Sequence, residues 1–455
     1  MSITRVVPKL IPTMLGEHLG PERLLKVQKK RLKRLLRHTL SKSRFYSDFY
    51  SESGITRDNI EQISIEDLPV VDKELLMGNY DDVVCNHELG KDQLEAFVTD
   101  PQNIGKKYKG RYAAIHTSGS TGTIGLFVYG RSEWSQVKSL SLLRIGRARL
   151  NPFNRDKYTF IGALDGNFAA ASLSRDVPPF LAKSQCISIN DPIEKISANI
   201  DKFKPTLLCG YASGIHLLAQ QQLDGKINIH PRRVLCTGDA LTKIMRGIIT
   251  QAFGVEPNDF YGTSEAMAFG IECDEYRRHH LFEDWVICEV LDDQLHPVQA
   301  GTPGRLYITN LYNYTQPLIR YAMNDEITLS KETCPCGRPF RIVDKIAGRR
   351  EEFLWFNKPD NSREFIHPIV LVEFLVPGLE RCQFIQTDPD KLLVKAVVRG
   401  DQNAAVGVIK ERMTKILAQK GLKEHVKVEI ELTNAIENDA RTGKFRLIIP
   451  YQLLR

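Results

Sequence analysis

Several short segments combine hydroxyl, glycine and charged residues in patterns that could do chemistry. Residues 116–123 read His-Thr-Ser-Gly-Ser-Thr-Gly-Thr, with five hydroxyl residues and two glycines in eight positions. Glycines let backbone N–H groups approach an anion closely, and Ser and Thr hydroxyls add donors for phosphate oxygens. The segment is not a Walker loop, because no Gly-Lys-Ser/Thr follows it. It therefore predicts an anion-binding loop, with a plain surface turn as the alternative.

Two further segments place a carboxylate beside other binding groups. Residues 261–265, Tyr-Gly-Thr-Ser-Glu, offer a ring that could stack on a base and a carboxylate that could hold a hard cation. The alternative is an ordinary turn before a helix, capped by Thr263 or Ser264. Residues 317–325 end in Asp325, and an acidic residue at a strand end can accept hydrogen bonds from both hydroxyls of a ribose.

A set of soft ligands suggests a metal centre. Cys273, His280, Cys334 and Cys336 could hold Zn²⁺ tetrahedrally, and a closed set of four ligands would make the site structural. His279 competes with His280 for this role, and free thiol pairs in a turn are the alternative. The nine cysteines, an odd number in 455 residues, indicate a reducing compartment, so we expect a cytoplasmic protein.

The elements that position these segments alternate between strand and helix. Short apolar runs at 158–164, 206–211 and 232–238 read as strands, and 241–254 reads as a helix. This order predicts an α/β fold with a largely parallel sheet covered on both faces. Residues 304–311 alternate as a half-exposed strand does, with Leu306 and Ile308 on one face.

The composition changes near residue 348, and the last hundred residues read as a small α+β unit. Strands are predicted at 391–400 and 426–432, and a helix that buries Ile409, Met413 and Ile416 ends near Gly421. We therefore predict a large N-terminal mixed α/β domain over 1–348, with a helical segment at about 20–80. A hinge at 349–352 and a small mobile C-terminal α+β domain over 353–455 complete the chain.

The net charge of +7 comes from one predicted helix. Residues 23–44 contain ten Lys and Arg and no acid, so the rest of the chain is slightly acidic. Leu25, Leu32, Leu36 and Leu40 recur near helical spacing and predict an amphipathic helix with a solvated basic face. The alternative is contact with an acidic membrane surface or another polyanion. We expect no nucleic-acid partner, because the basic charge is confined to this one helix. We also expect no stable membrane insertion, because no apolar stretch approaches 18 residues.

The ordered segments together resemble the adenylate-forming (ANL) superfamily of acyl-CoA synthetases and adenylation domains. The resemblance is nearest to the phenylacetate–CoA ligase branch, through RFYSDFYSESGI at 44–55, IEDLPVVDKELL at 65–76, GYASGIHLLA at 210–219 and CPCGRPF at 334–340. It covers roughly residues 25–450. In one respect the chain departs from the family, whose phosphate loop usually continues with Pro and often Lys, whereas Ile124 and Gly125 follow Thr123 here.

The resemblance implies an ATP site in the larger domain. The loop would hold the β- and γ-phosphates, residues 238–240 and Tyr261 would contact adenine, Asp325 would bind the ribose, and Glu265 would ligate Mg²⁺. The residues implied for ATP are Thr117, Ser118, Gly119, Ser120, Thr121, Gly122, Thr123, Gly238, Asp239, Ala240, Tyr261, Gly262, Thr263, Ser264, Arg320 and Asp325.

The resemblance also implies a catalytic set and a reaction. Glu265, Arg349 and Lys444 would be catalytic, with Lys444 as a mobile lysine that contacts the substrate carboxylate and the α-phosphate, and Glu351 would be the hinge residue. The implied reaction activates a small carboxylic acid, aromatic in this branch's namesake, to an acyl-adenylate with release of pyrophosphate. Transfer to coenzyme A would follow. The alternative acceptors are an amine, a carrier-protein thiol or another metabolite that receives AMP, and a homodimer would not be surprising.

Overall fold

The computed structural model describes most of the chain and gives it a mixed α/β architecture. The described residues are 6–117, 125–147, 155–179, 181–239, 241–347, 354–358, 363–366, 370–371, 374, 376–437 and 447–451. Among them, no helix is both long and apolar enough to cross a membrane.

Most helices belong to the part of the chain before residue 260. They are α1 Val7–Gly16, α2 Pro21–Lys42, α3 Arg44–Ser51, α4 Lys73–Gly78, α5 Tyr80–Val83, α6 Lys91–Thr99, α7 Arg131–Leu140, α8 Ala169–Arg175, α9 Ile193–Phe203, α10 Ala212–Leu223, α11 Lys243–Phe253 and α12 Gln402–Gln419. A π-helical turn, Ser141–Ile145, continues α7.

The strands are concentrated in the middle and at the end of the chain. They are β1 Ala113–His116, β2 Leu126–Tyr129, β3 Asp156–Gly162, β4 Ala182–Ser188, β5 Leu207–Tyr211, β6 Arg233–Thr237, β7 Asn258–Tyr261, β8 Gly270–Glu272, β9 His279–Leu281, β10 Val286–Leu291, β11 Pro303–Asn310, β12 Tyr321–Leu329, β13 Ile342–Ala347, β14 Leu354–Asn357, β15 Arg363–Ile366, β16 Leu379–Asp388, β17 Lys391–Val398, β18 Lys427–Leu432 and β19 Ile448–Ile449.

One 11-stranded sheet organises the larger part of the described chain. Its order is β10-β11-β12-β13-β9-β8-β7-β6-β5-β3-β4. The strands from β4 to β7 pair in parallel, and those from β7 to β10 pair antiparallel. Separate from this sheet, β1 and β2 form an antiparallel hairpin. The α/β class predicted from the sequence is confirmed, as are the strands at 158–164, 206–211 and 232–238. The prediction of a largely parallel sheet was wrong, because six of the ten pairings in the large sheet are antiparallel.

The strand at 303–310 differs from its prediction as a half-exposed strand. Leu306 and Ile308 are buried as expected, but Tyr307 and Thr309 on the opposite face are buried as well. Tyr307 packs in a small cluster with Leu291 and Ala322 of the flanking strands. Alternation of residue type therefore did not mean exposure here, because both faces of β11 are covered.

Local sequence features explain where helix α2 begins and ends. Pro21 occupies the first turn after Gly20, a position where a missing N–H costs nothing. Ser43 ends the helix, and its Oγ accepts a hydrogen bond from the Tyr46 N–H at 3.3 Å, so the same residue caps α3. Leu32, Leu36 and Leu40 are buried as predicted, together with Leu24 and Leu35. Leu25 is 64% exposed, so the buried stripe runs through Leu24 instead.

A buried ion pair fixes α1 to the large sheet. Arg144 of the π-helical turn lies 2.8 Å from Asp284, and neither side chain is exposed. Arg144 also donates to the Thr13 carbonyl at 2.6 Å. A Cβ atom on Gly16 would lie 2.2 Å from the Asp284 carboxylate, so only glycine allows this approach. The N-terminal helix is therefore packed over a charge pair in the protein interior.

The C-terminal part forms a smaller α+β unit. Its sheet has the order β18-β17-β16-β19, and α12 buries Ile409, Met413 and Ile416 as predicted. The helix is followed by Gly421 with a φ of +66°, the left-handed conformation that favours glycine after a helix. The hinge assigned to 349–352, which includes Glu351, lies outside the described residues.

Candidate active site

The predicted site residues follow the carboxyl ends of neighbouring parallel strands. Strand β5 ends at Tyr211, β6 at Thr237 and β7 at Tyr261, and each is followed by a segment that the sequence singled out. Carboxyl ends of parallel strands meet at one edge of the sheet, where ligands bind in open α/β folds. The topology therefore brings residues 211–213, 238–239 and 261–265 to one edge.

The segment after β6 is held close to the start of α10. Gly238 has a φ of +83°, and a Cβ atom there would lie 2.5 Å from the Tyr211 ring, so glycine is required on both grounds. The Asp239 carboxylate accepts hydrogen bonds from the Ala212 N–H at 2.6 Å and from the N–H and hydroxyl of Ser213. A carboxylate at a helix N-terminus satisfies N–H groups that lack partners within the helix. Asp239 thereby fixes the backbone predicted to line adenine.

The segment after β7 is fixed by hydrogen bonds to its backbone. The Tyr129 hydroxyl donates to the Ser264 carbonyl at 2.7 Å, and the Asn310 amide donates to the Glu265 carbonyl at 3.1 Å. Thr263 accepts from the Ala266 N–H at 3.3 Å through its hydroxyl, which makes it the cap of the turn. A Cβ atom on Gly262 would lie 2.3 Å from the Met267 carbonyl oxygen, so this turn also requires glycine.

Three predicted binding groups, Tyr261, Glu265 and Asp325, interact with one another. Burial raises the pKa of Glu265, and the neighbouring Asp325 carboxylate raises it further, against the opposing charge of Lys73. Burial also raises the pKa of Tyr261 well above its ordinary value, and the nearby Asp325 carboxylate raises it further. Two carboxylates that repel each other in a partly dry site are an arrangement that a divalent cation would stabilise.

Thr117 closes the base of the predicted phosphate loop. Its N–H donates to the Gly125 carbonyl at 2.8 Å, and its hydroxyl accepts from the Gly125 N–H at 3.1 Å. A Cβ atom on Gly125 would lie 2.6 Å from the Thr117 hydroxyl and 3.1 Å from Cε of Lys73. The remaining loop residues, Ser118, Gly119, Ser120, Thr121, Gly122 and Thr123, lie outside the described residues, as do Ala240, Arg349 and Lys444.

Lys73 is the functional candidate that the sequence reasoning missed. It is the first residue of α4, follows the Asp72 cap, and brings its ammonium group beside Glu265 and the Thr117–Gly125 turn. The chain has no lysine directly after Thr123, where the family often has one, and Lys73 supplies a cation at the base of the same loop. The signal was available in the sequence, because Lys73 lies within the family-like stretch 65–76.

Arg320, which the resemblance also assigns to ATP, has its described contacts outside this arrangement. Its guanidinium pairs with Glu289 at 3.1 Å and donates to the carbonyls of Glu66 and Leu68 at 2.9 and 2.7 Å. Arg320 is also buried and has a φ of +50°. Its donors tie residues 66–68 to the large sheet, and its assignment to ATP stays a prediction.

His116 lies between the loop base and the segment after β3. It is buried, its ring packs 4.7 Å from that of Phe168, and burial lowers its pKa to about 4. Neither ring nitrogen has a hydrogen-bond partner among the described residues. The imidazole is therefore uncharged at neutral pH.

The four predicted zinc ligands are brought together away from this edge. One ligand atom each from Cys273, His280, Cys334 and Cys336 lies within 4.8 Å of the others. The His280 Nδ1 lies 3.3 Å from the Phe340 carbonyl, which leaves Nε2 facing the thiols, 3.3 Å from the Cys336 sulfur. Burial lowers the pKa of His280 to about 4, and the neutral ring is the form that binds a metal. His279 points elsewhere, with Nε2 3.3 Å from Asp259.

Comparison with known sequences identifies distant relatives over most of the chain. Protein CapK of Staphylococcus aureus is 23% identical over 403 residues, which cover 83% of this chain and 79% of the relative. Phenylacetate-coenzyme A ligase of Thermus thermophilus is 26% identical over 357 residues, covering 74% of this chain and 73% of the relative. The ligase of the same name from Pseudomonas putida is 24% identical over 336 residues. No family model matches the chain.

Comparison with solved structures finds the same fold. The chain superimposes on 2-hydroxyisobutyryl-CoA ligase in its thioesterification state with a TM-score of 0.62 and 18% identity, covering 96% of this chain and 91% of the ligase. An open conformation of that ligase gives a TM-score of 0.60 with 19% identity. The chain is therefore similar in sequence to phenylacetate-coenzyme A ligases and shares the fold of 2-hydroxyisobutyryl-CoA ligase.

Proposed function

We propose that this protein is an ATP-dependent acid–thiol ligase that activates a carboxylic acid as an acyl-adenylate and transfers the acyl group to coenzyme A. The observation that carries the proposal is the meeting of Glu265, Asp325 and Tyr261 beside Lys73 and the Thr117–Gly125 turn. This set offers a cation site, a ribose acceptor, an aromatic ring and a phosphate-binding ammonium at one edge of the sheet. The named ligases among the relatives and structural neighbours act on this kind of substrate.

In the first half-reaction, a carboxylate oxygen of the acid attacks the α-phosphorus of ATP and pyrophosphate leaves. Both reactants are anions, so the protein must position them and neutralise their charge. Asp325 binds the ribose hydroxyls, Tyr261 packs against adenine, and Lys73 with the 117–125 loop binds the departing phosphates. Glu265 would hold Mg²⁺, and the bound ion would supply charge neutralisation on the phosphate oxygens.

In the second half-reaction, the thiol of coenzyme A loses its proton and attacks the acyl carbon, and AMP leaves. Residues 162–172 and 211–213 frame the space for the acyl group. Lys444, Arg349 and the Glu351 hinge retain the roles that the family resemblance implies, as proposals. A lysine on a mobile domain suits the first step, because its compact charge can be inserted and withdrawn.

The test is product analysis with ATP, Mg²⁺ and a panel of aliphatic and aromatic acids. We expect acid-dependent release of pyrophosphate, formation of an acyl-CoA on addition of coenzyme A, and loss of pyrophosphate release in the Lys444→Ala variant. Absence of acid-dependent pyrophosphate across the panel would contradict adenylation. Pyrophosphate without any acyl-CoA would favour the alternative acceptors, namely an amine, a carrier-protein thiol or a metabolite that receives AMP.

We also propose that Cys273, His280, Cys334 and Cys336 hold one structural Zn²⁺. Tetrahedral zinc needs ligand atoms that surround a common centre, and mutual separations within 4.8 Å fit Zn–S and Zn–N bonds of about 2.3 and 2.0 Å. The Phe340 carbonyl fixes the tautomer of His280, as partners of metal-bound histidines usually do. The zinc ion would be structural and not catalytic, because protein ligands would take all four of its coordination positions.

A further inference from the structure

Helix α1 presents its apolar side chains to solvent instead of to the protein interior. Val7, Ile11, Met14 and Leu15 recur at the spacing of one helix face, and each is between 48% and 60% exposed. A stripe with this spacing normally packs against a core. Four of the ten large apolar side chains that are exposed in the described chain lie on this one helix. These four residues form a patch, which we call the α1 apolar face.

The opposite face of α1 holds the helix in place through polar contacts. Thr13 and Gly16 are the buried residues of this helix. The Thr13 hydroxyl accepts a hydrogen bond from the Gln136 amide at 2.9 Å and lies 2.9 Å from the Ser139 hydroxyl. A rotation that turned the apolar face inward would break these buried hydrogen bonds, and their loss is costly. The α1 apolar face is therefore fixed toward solvent.

Helix α2 lies beside α1. Arg31 of α2 stacks 3.4 Å from the centre of the Trp285 ring and donates to the Asp284 carbonyl. Gly16 of α1 packs against the carboxylate of the same Asp284. Burial lowers the pKa of Lys9 in α1, and the nearby charge of Arg31 lowers it further. The two helices are therefore neighbours on one part of the surface.

The solvent-facing side of α2 is strongly cationic. Its exposed basic residues are Arg23, Lys26, Lys29, Lys30, Arg34, Arg37 and Lys42. Residues 23–44 contain no acidic residue, so this stretch of the chain cannot neutralise the charge by itself. We call these seven residues the α2 cationic face. An exposed apolar stripe beside a basic face is the combination found in helices that lie in the interface of an anionic membrane.

The chemistry of the two faces selects one kind of partner. A nucleic acid would neutralise the cations but would leave the aliphatic side chains of α1 in water. A protein interface is usually anchored by aromatic and arginine side chains, whereas the α1 apolar face consists of Val, Ile, Met and Leu. A bilayer with anionic headgroups satisfies both faces, because it offers acyl chains to the apolar residues and phosphates to the cations.

We propose that the α1 apolar face and the α2 cationic face dock the protein reversibly on an anionic lipid bilayer. Helix α1 would lie parallel to the bilayer surface, with its apolar side chains among the headgroups and the first part of the acyl chains. Docking of this kind requires no membrane-spanning helix, since an interfacial helix buries its apolar face only about 5–10 Å deep. It is independent of the proposed ligase reaction.

The test is cosedimentation of the full chain with vesicles of phosphatidylcholine alone and with vesicles of equal parts phosphatidylcholine and phosphatidylglycerol. We expect the wild type to bind the anionic vesicles at least about tenfold more tightly, and added salt should reduce the difference. Lys26→Gln/Lys30→Gln should weaken binding to the anionic vesicles by about tenfold or more, because each cation near the surface contributes to it. Ile11→Gln/Leu15→Gln should weaken binding to a similar extent, because it removes apolar side chains from the interface.

Two matched controls change the same residue types elsewhere on the surface. Lys410→Gln/Lys415→Gln removes two exposed charges from α12, and Leu223→Gln/Ile244→Gln removes two exposed apolar side chains from α10 and α11. Both control variants should bind anionic vesicles as the wild type does. All four variants should unfold at the wild-type temperature, because every substituted side chain is exposed.

Three results would overturn the proposal. They are failure of the wild type to bind anionic vesicles, equal binding to the two kinds of vesicle, and equal weakening of binding by the α1–α2 variants and their controls. Analytical ultracentrifugation tests the competing occupant, a second copy of this chain. A wild-type dimer that Ile11→Gln/Leu15→Gln converts to a monomer, without vesicle binding by either form, would assign the α1 apolar face to dimerisation and overturn membrane docking.

Discussion

Glu265 carries the clearest electrostatic signature among the proposed catalytic side chains. Its pKa is raised by burial and by the nearby Asp325 carboxylate, and Lys73 only partly opposes these effects. A carboxylate in such a place is costly to ionise without a cation, yet its ionised form is the one that binds Mg²⁺. The ionised Glu265 side chain therefore suits Mg²⁺ binding, but it destabilises the folded protein when no ligand is bound.

The first prediction concerns the pH dependence at Glu265. Its pKa is raised in the folded protein, so the native state binds this proton more tightly than the unfolded state does. The stability contribution of the protonated form is then lost as pH rises, and Glu265→Gln should unfold at neutral pH no earlier than the wild type. The same variant should lose about 100-fold or more in acid-dependent pyrophosphate release, a loss typical of removing one transition-state contact.

Thermal unfolding without ligand and pyrophosphate release across pH 5–8 check this prediction together. In the wild type, the rate should fall on the acid side at a higher pH than an ordinary glutamate, near 4.3, would give. A lower unfolding temperature for Glu265→Gln with unchanged catalysis would contradict both the raised pKa and the proposed role.

The second prediction concerns Lys73. Lys73→Met should lower pyrophosphate release by about 100-fold, since it removes a positive charge aimed at the departing phosphates. Its thermal stability should be unchanged or slightly lower, because relief of an unfavourable charge at the helix N-terminus is offset by loss of the cation near the buried Glu265 carboxylate. Lys26→Met on the exposed face of α2 is the matched control, and equal activity of the two variants would exclude Lys73 from the site.

At the residue scale, the sequence analysis identified functional groups that lie close together in the chain. It missed contacts between residues that are distant in sequence. Thr117, Tyr261 and Glu265 lie in compact motifs. Lys73 reaches the site because α4 packs against β2, where the Leu126 N–H lies 3.3 Å from the Met77 sulfur, and nothing in residues 116–125 shows that contact. The ion pair of Arg320 with Glu289 was likewise not visible in the local sequence, since Glu289 is on a separate strand.

At the scale of elements, the proposed zinc site lies at the β8–β9 hairpin. These strands are only three residues long, and they connect the parallel and antiparallel halves of the large sheet. Cys273 follows β8, His280 lies on β9, and Cys334 and Cys336 precede β13, which pairs with β9 at Ile342–His280. A metal at this point would fasten three chain segments where the hydrogen-bond ladder is shortest.

The third prediction tests that fastening. The purified protein should contain one zinc ion per chain by elemental analysis, and Cys334→Ser should reduce both zinc content and unfolding temperature, because structural zinc contributes directly to folding free energy. Cys382→Ser is the control, a buried free thiol in the C-terminal sheet. If the metal-free protein is as stable as the purified wild-type protein, the zinc proposal is contradicted.

The sequence predicted an element well where its pattern of apolar and polar residues matches the burial of those residues in the structure. The parallel strands are continuous apolar runs because both of their faces are covered, and α12 shows a clear helical stripe. Residues 303–310 were predicted as half-exposed because Tyr and Thr read as surface residues, whereas the structure packs Tyr307 against Leu291 and Ala322. Leu25 was assigned to the buried stripe because periodicity alone does not distinguish it from Leu24.

At the scale of the whole molecule, a buried lysine links the C-terminal unit to the large sheet. The Lys420 ammonium donates to the carbonyls of Ile189 at 2.7 Å and Asp191 at 3.3 Å, and it lies 3.6 Å from Glu364. Both charged side chains are almost completely buried. A mobile C-terminal domain would have to break these bonds, so they help to set the balance between its positions.

The fourth prediction is that Lys420→Met destabilises the protein by about 3–5 kcal/mol, because it leaves the buried Glu364 carboxylate with less compensation. The Lys420→Met/Glu364→Gln double variant should recover most of the loss. Urea unfolding measures both, and Lys423→Met at an exposed position is the control. Equal stability of Lys420→Met and Lys423→Met would mean that the buried lysine does not stabilise the fold.

The charge pair beneath α1 has a practical consequence for anyone shortening this polypeptide. Trimming the chain to start at Gly20 would take away the Thr13 carbonyl from Arg144 and expose the Asp284 carboxylate to water. The lost hydrogen bond between the charged Arg144 and the Thr13 carbonyl is worth about 1.5–3 kcal/mol, and the shortened form should melt earlier and aggregate sooner. An affinity handle ahead of Val7 avoids this, since that side chain already faces solvent. The first helix should therefore be kept when the protein is prepared for crystallisation or assay.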